Sequence, residues 1–347
     1  MDFGGGDDIR FERRGAAGII TLTRPKALNA LSLPMVQAMA RALEEWRTDN
    51  SVAAVVIRGE GRAFCAGGDI ARVYEARQKG ESAVQFFADE YRLNTMIESY
   101  PKPYIALIDG IVMGGGVGVS CHGSHRAMTE KALFAMPEVG IGFFPDVGGS
   151  HFLPALPGRY GYYLALTGQR IKYGDALGAG LATHAVPSAA LEKIVGDIAD
   201  NGDPDAALKG LASIPARETD EATLAKIDAH FSKPDLPAIL ASLEAAAGKD
   251  DFAASTLATM RQRSPTSLAV TFRQISSGDG LSMQDCMRME FRILNRMLEG
   301  HDFYEGIRAV LIEKDNQPVW SPATVEELRP GDIAHYFATL GETELTF

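Results

Sequence analysis

Hydrophobic and polar positions follow two regimes along this chain, and the change falls near residue 190. Before it, short apolar runs bounded by glycine or proline alternate with stretches of helical period. Gly18-Ile-Ile-Thr-Leu-Thr23 reads as a first strand, stopped by proline. Ser32 is placed to cap a helix, with Pro34 tolerated in its first turn. Val36, Met39, Ala40, Leu43 and Trp46 then share one helical face. Val52 to Ile57 reads as a short buried strand, followed by a glycine-bounded loop from Gly59 to Gly68 and a helical region from about Asp69. A longer helix spans about Ser82 to Ser99 and carries Phe86, Phe87, Tyr91 and Leu93. The next strand, Pro103 to Ile108, leads to the triple glycine Gly114-Gly115-Gly116.

Past residue 190 the strand signal fades, and alanine, leucine and charged residues dominate. Residues 201–301 carry helical patterning throughout. The expected organisation is a core of strands and helices over 1–190 that holds the active site, with a mostly helical region over 191–347 packed on it. No low-complexity tract separates the two.

Composition narrows the function classes. The 347 residues carry a net charge of −11, which speaks against a nucleic-acid surface. Three scattered cysteines, Cys65, Cys121 and Cys286, form neither a disulfide framework nor a zinc pattern and suit a reducing compartment. The start, MDFGGGDD, is acidic and glycine-rich, unlike a signal peptide or an arginine-rich presequence, so a cytoplasmic protein is expected. The apolar run Tyr104 to Ser120 contains Asp109 and five glycines and makes a poor membrane span, so no membrane partner is expected.

The chemistry concentrates between Pro103 and Phe152. Bare glycine backbone lets N–H donors approach a ligand oxygen. Two carboxylates follow the triple glycine: Glu138 in Met-Pro-Glu-Val-Gly and Asp146 in Phe-Pro-Asp-Val-Gly-Gly. Such groups take or give protons, or attack a carbonyl. Each has a bland alternative. Glu138 after proline suits the first turn of a helix, and Asp146 between proline and glycine suits a turn. Apolar Ala132–Met136 before Glu138 and the glycines after it favour a partly desolvated carboxylate of raised pKa. His122 and His125 lack acidic or thiol neighbours for a metal site, there is no G-x-S-x-G elbow, and the glycine runs match neither dinucleotide nor phosphate-loop fingerprints.

This stretch resembles the crotonase (enoyl-CoA hydratase/isomerase) superfamily, in particular its 3-hydroxyisobutyryl-CoA hydrolase branch. Gly61-Arg-Ala-Phe-Cys-Ala-Gly-Gly-Asp-Ile70, Arg24-Pro-Lys-Ala-Leu-Asn29 and Asp302-Phe-Tyr-Glu-Gly-Ile-Arg308 agree, so the resemblance covers nearly the whole chain. It implies an α/β fold, a crotonase-like spiral of repeated ββα units ending in the helical C-terminal region. It implies an oxyanion hole at Gly68 and Gly115, Glu138 as the leading acid/base, Asp146 as its partner and Glu90 as a group for the substrate hydroxyl. Lys26 and Arg62, each beside a ligand loop, are candidates for the CoA phosphates; solvated surface cations are the alternative. Hydratases of the superfamily carry a second glutamate two residues after the last glycine of the triplet, where this chain has Gly118. That departure favours hydrolysis. The implied activity is hydrolysis of 3-hydroxyisobutyryl-CoA, or a related short 3-hydroxyacyl-CoA, to the hydroxy acid and CoA, as in valine catabolism. An enoyl-CoA isomerase or atypical hydratase is the first rival, and a non-catalytic acyl-CoA-binding protein the second. No metal or redox cofactor is implied, since CoA arrives with the substrate, and the superfamily's trimers and hexamers make a homo-oligomer an expectation.

Overall fold

A computed structural model describes residues 1–347, apart from the side chain of residue 330. The chain forms two compact units, each assembled from segments distant in sequence.

The first unit comprises Met1–Asp69, Asp89–Ala135 and Arg170–Glu218. It holds every strand: β1 (Ile9–Arg14), β2 (Ala17–Leu22), β3 (Ala54–Gly59), β4 (Ala63–Cys65), β5 (Tyr104–Ile108), β6 (Ile111–Met113), β7 (His125–Met128), β8 (Leu133–Ala135), β9 (Ile171–Lys172) and β10 (His184–Ala185). They form a six-stranded sheet ordered β1-β2-β3-β5-β7-β10 and a four-stranded sheet ordered β4-β6-β8-β9. β1 is antiparallel to β2, and the remaining pairs of the large sheet are parallel. Parallel strands are covered on both faces, so β2 and β5 are continuous buried apolar runs rather than alternating ones. The pairs β3–β4, β5–β6 and β7–β8 each send their first strand to the large sheet and their second to the small one. This is the repeating ββα spiral expected from the resemblance. Ile19, Val56, Ile105 and Leu107 pack with Ile194, Val195 and Ile198 of the helix Leu191–Asn201. Full burial of each such side chain contributes about 1.5–3 kcal/mol.

Helix α1 (Leu33–Thr48) buries Val36, Met39, Leu43 and Trp46 as its spacing predicts, together with Met35, Ala38 and Ala42. Ala40 is only half-buried. Ser32 occupies the N-cap position in an extended conformation, but its side chain makes no capping bond. The helices expected near Asp69 and over 82–99 are α2 (Ile70–Gln78) and α3 (Val84–Glu98). The triple glycine opens a single turn, α4 (Gly115–Gly118).

The second unit comprises Ile70–Ala88, Met136–Gln169 and Thr219–Phe347 and is helical. A further single turn, α5 (Gly149–Phe152), lies in its middle segment. Five consecutive helices run from Glu221 to Met297. Each starts where an aspartate or serine accepts an otherwise unpaired backbone N–H: Asp220, Asp235, Asp250, Ser264 and Ser282. Residues 209–220 interrupt the helical patterning, and Ser213 there bridges to Ala185 of the first unit's own sheet. Residues 191–218 therefore belong with the sheets and Met136–Gln169 with the helices. The units interleave along the chain because packing partners, not local composition, decide membership. Among the described residues no helix is long and apolar enough to cross a membrane.

Candidate active site

In the first unit, the ends of β4 and β6 bring two glycine loops together. Gly67 takes φ +118° and Gly114 φ +48° with ψ −123°, backbone shapes that a side chain disfavours. The segment after β4 is tied to the chain before α1: Ala66 N donates to Leu28 O, Leu31 N to Gly67 O, and Asp69 N to Leu31 O, at 2.8–3.0 Å. These bonds pass over the Gly68 N–H. Gly115 is the first residue of α4, where a backbone N–H has no carbonyl one turn back to meet. A methyl group placed on Gly115 would lie 3.2 Å from Gly68 N and against the Glu90 carboxylate. The structure thus brings Gly68, Gly115 and Glu90 to one point, from three separate stretches of sequence. Glu90, on α3, is 2% exposed. One turn on, Asn94 is fully buried, and neither its Nδ2 nor its Oδ1 has a hydrogen-bond partner among the described residues. Burial pushes the thiol of Cys65, beside this loop, up to about 12.

Lys26 and Arg62 are exposed. Arg24, in the same segment as Lys26, is paired with Asp69 at 3.0 Å and Asp8 at 3.3 Å. Gly118, where a hydratase of the superfamily would have its second glutamate, is buried inside α4. His125 is bonded to Ser124 and Asp205, and no group of three or more His, Cys, Asp or Glu among the described residues is arranged to hold a metal.

The second unit holds a cluster of carboxylates. Glu138 opens a short 3₁₀ helix, Glu138–Ile141, after Pro137. It is the acidic residue of that helix's first turn, where the bland alternative puts it, and no side chain caps the helix. Its carboxylate is buried, and Oε2 has no hydrogen-bond partner among the described residues. Burial holds its pKa well above the usual carboxylate range, and the charges of Asp146 and then Glu290 add to the rise. Asp146 is 5% exposed in the turn that precedes α5. A carboxyl whose pKa is raised in this way holds its proton to higher pH than an exposed glutamate does.

Glu290 is the member that sequence reading missed. It lies on the helix Met283–Met297, fully buried. It accepts bonds from the backbone N–H of Gly148 and of Ser150, both at 2.9 Å. One signal was available: Met283, Met287, Glu290, Leu294 and Met297 share one helical face, and Glu290 is the charge on that apolar stripe.

The family model for enoyl-CoA hydratase/isomerase matches residues 17–337. The chain belongs to this family. It is 44% identical to a mitochondrial 3-hydroxyisobutyryl-CoA hydrolase of Rattus norvegicus, over 98% of this chain and 91% of that protein. Among solved structures, a carnitinyl-CoA dehydratase from Mycobacterium thermoresistibile superposes with a TM-score of 0.92 at 41% identity, covering 99% of each chain. An enoyl-CoA hydratase from Rhodobacter sphaeroides gives 0.89 at 39% identity, covering 98% of this chain and 100% of that one. The TM-scores show that both of these structures share the fold described above.

Proposed function

We propose that this chain hydrolyses the thioester of 3-hydroxyisobutyryl-CoA or a closely related short 3-hydroxyacyl-CoA, releasing the hydroxy acid and CoA. The Gly68 and Gly115 amides receive the negative charge that gathers on the thioester oxygen. Donors aimed at such an oxygen are worth roughly 2.7–4 kcal/mol each in known cases. Glu138 leads the chemistry by one of two routes. It attacks the thioester carbon, expelling CoA thiolate, and water opens the resulting mixed anhydride and returns the free carboxylate. Or it removes a proton from a water that attacks the same carbon directly. In either route Asp146 positions the water or passes a proton to the departing thiolate. Glu90 bonds the 3-hydroxyl. Lys26 and Arg62 keep their proposed role toward the CoA phosphates, as exposed cations on a chain of negative net charge.

The observation that carries this assignment is the Glu138 carboxylate, buried with an unbonded oxygen beside Asp146, in a chain that has Gly118 in place of a hydratase's second glutamate. The named activities of the two superposing structures favour one other reading, water addition to or loss from an acyl-CoA. Purified protein given 3-hydroxyisobutyryl-CoA and crotonyl-CoA in parallel separates the two. Free thiol released from the first with slow hydration of the second is expected; fast crotonyl-CoA hydration without thiol release overturns the assignment. The reaction is proposed to need no metal or redox cofactor, so thiol release is expected to survive a chelator.

The rat relative is named as mitochondrial. The three cysteines here are free thiols, as in a reducing compartment. Cytoplasmic residence stays the proposal, with fractionation of the source cells as its test. A homo-oligomer is proposed from the family resemblance, and light scattering decides it.

A further inference from the structure

The turn that carries Asp146 is held in a shape its own residues resist. Val147 sits at φ +50°, where a β-branched side chain is crowded, and Gly148 follows at φ +91°. Strain of this kind persists only where surrounding groups over-determine the backbone. Two buried side chains do so. Gln274, on the helix Pro265–Gly278, donates from Nε2 to the Pro145 carbonyl at 2.7 Å. Glu290 accepts from Gly148 N and Ser150 N and from the Ser150 hydroxyl. Asp146 therefore lies between two clamps, one on the residue before it and one on residues two and four places after it. Its own carbonyl closes the turn by accepting from Gly149 N at 2.8 Å.

A carboxylate is a costly way to tie down a turn. Glu290 is fully buried, and the Gly148 and Ser150 N–H groups and the Ser150 hydroxyl that it accepts from are all neutral donors. Burial pushes it up to about 7, although the Ser150, Gly148 and Gln274 contacts pull the other way. An unpaired buried charge is disfavoured, and the group shifts its pKa in response. Its charge reaches the site: it adds to the rise at Glu138. The groups facing it are Ser150 on α5, Gln274 on the helix Pro265–Gly278, Glu138 on its 3₁₀ turn, and Cys286 on its own helix.

We propose that Glu290 is a positioning residue for the hydrolysis, fixing the strained Asp146–Ser150 turn and so the placement of Asp146 beside Glu138. The proposal rests on Glu138 and Asp146 being the reacting carboxylates. Glu290 itself touches backbone and a serine hydroxyl, and acts through Asp146.

Glu290→Gln keeps the shape but offers one acceptor oxygen where two were used, and turns an NH₂ toward a backbone donor. Thiol release from 3-hydroxyisobutyryl-CoA is expected to lose roughly 10- to 100-fold in kcat, the scale of a small misplacement of a catalytic group, with KM nearly unchanged. The acid limb of the pH–rate profile is expected to move to lower pH, because a negative charge near Glu138 has gone. Ser150→Ala removes one donor, keeps Glu290, and is expected to lose less. The deciding comparison is a cycle with Asp146→Asn. If Glu290 acts through Asp146, then Asp146→Asn/Glu290→Gln turns over at the rate of Asp146→Asn alone. Losses that multiply in the double variant, or wild-type kcat in folded Glu290→Gln, overturn the positioning role. If Glu290→Gln does not fold, Ser150→Ala takes its place in the cycle with the same two outcomes. Wild-type turnover by Asp146→Asn removes the catalytic reading of Asp146, and the role of Glu290 with it.

Discussion

The Glu90 carboxylate fills the space that a side chain on Gly115 would occupy. The contact joins the proposed oxyanion donor to the proposed hydroxyl-binding group, with Gly68 N 3.2 Å from the same position. Gly115 does not have a positive φ, so alanine there fits the backbone and tests space alone. Gly115→Ala is expected to push Glu90 aside or to separate the two donors. Either change costs kcat/KM on the order of 10²-fold, the scale of losing one oxyanion donor. Steady-state thiol release measures it. A wild-type rate for folded Gly115→Ala would place the thioester oxygen elsewhere.

Glu138→Gln is expected to lower kcat by at least roughly 10²-fold with KM largely kept, since the shape stays and the proton acceptor goes. Stability runs the other way. The folded-state pKa of Glu138 is raised, mainly by burial. A raised carboxylate stabilises the fold below its unfolded value, and that contribution is lost as pH rises through the folded value. Gln stays neutral throughout. The Tm of Glu138→Gln is therefore expected to match wild type below the ordinary glutamate range and to exceed it by a growing margin as pH rises from there through the raised folded-state value. Melting curves across pH check this; a constant Tm difference would mean that Glu138 does not titrate in the fold with a raised pKa.

The pH dependence of the rate follows from the same cause. Glu138 must be ionised to attack or to accept a proton. The acid limb of kcat/KM is expected well above the ordinary glutamate range, because burial and the Asp146 charge both raise Glu138. Asp146→Asn removes the second contribution, so the limb of its residual activity moves to lower pH. A limb at the ordinary carboxylate value in wild type, or an upward shift in Asp146→Asn, contradicts the arrangement.

How much of this was legible in the sequence differs by element. Strand β5 and helices α1 and α3 announce themselves, because continuous apolar runs and a helical apolar face are local patterns. Gly68, Gly115, Glu138 and Asp146 lie in motif-bearing stretches, so the family resemblance could point to them. Glu290 lies in a helix with no motif, and its meaning depends on a turn 140 residues earlier that only the fold brings to it. Composition also could not show that the two units interleave. The exposed Lys26 and Arg62 were singled out by adjacency to glycine loops; adjacency passed over Arg24, which the structure finds paired to Asp69.

Substrate choice is the last consequence, and it turns on Glu90. Its side chain is buried beside the two glycines proposed as oxyanion donors, so a bound acyl chain with a 3-hydroxyl is expected to offer it a donor that a plain acyl chain does not. Leaving a buried polar group without its partner costs about 1–3 kcal/mol. That corresponds to roughly a 5- to 150-fold preference in kcat/KM for the hydroxylated substrate. Glu90→Ala removes the proposed acceptor for the 3-hydroxyl. It should therefore slow the hydroxylated substrate and bring the two substrates closer together. Thiol release from 3-hydroxyisobutyryl-CoA and from isobutyryl-CoA, by wild type and by Glu90→Ala, gives all four rates. Equal rates on both substrates in wild type would remove Glu90 from substrate recognition. An unchanged ratio in Glu90→Ala would move the selectivity to another buried polar group, with the Asn94 amide, one turn along the same helix, next to be substituted.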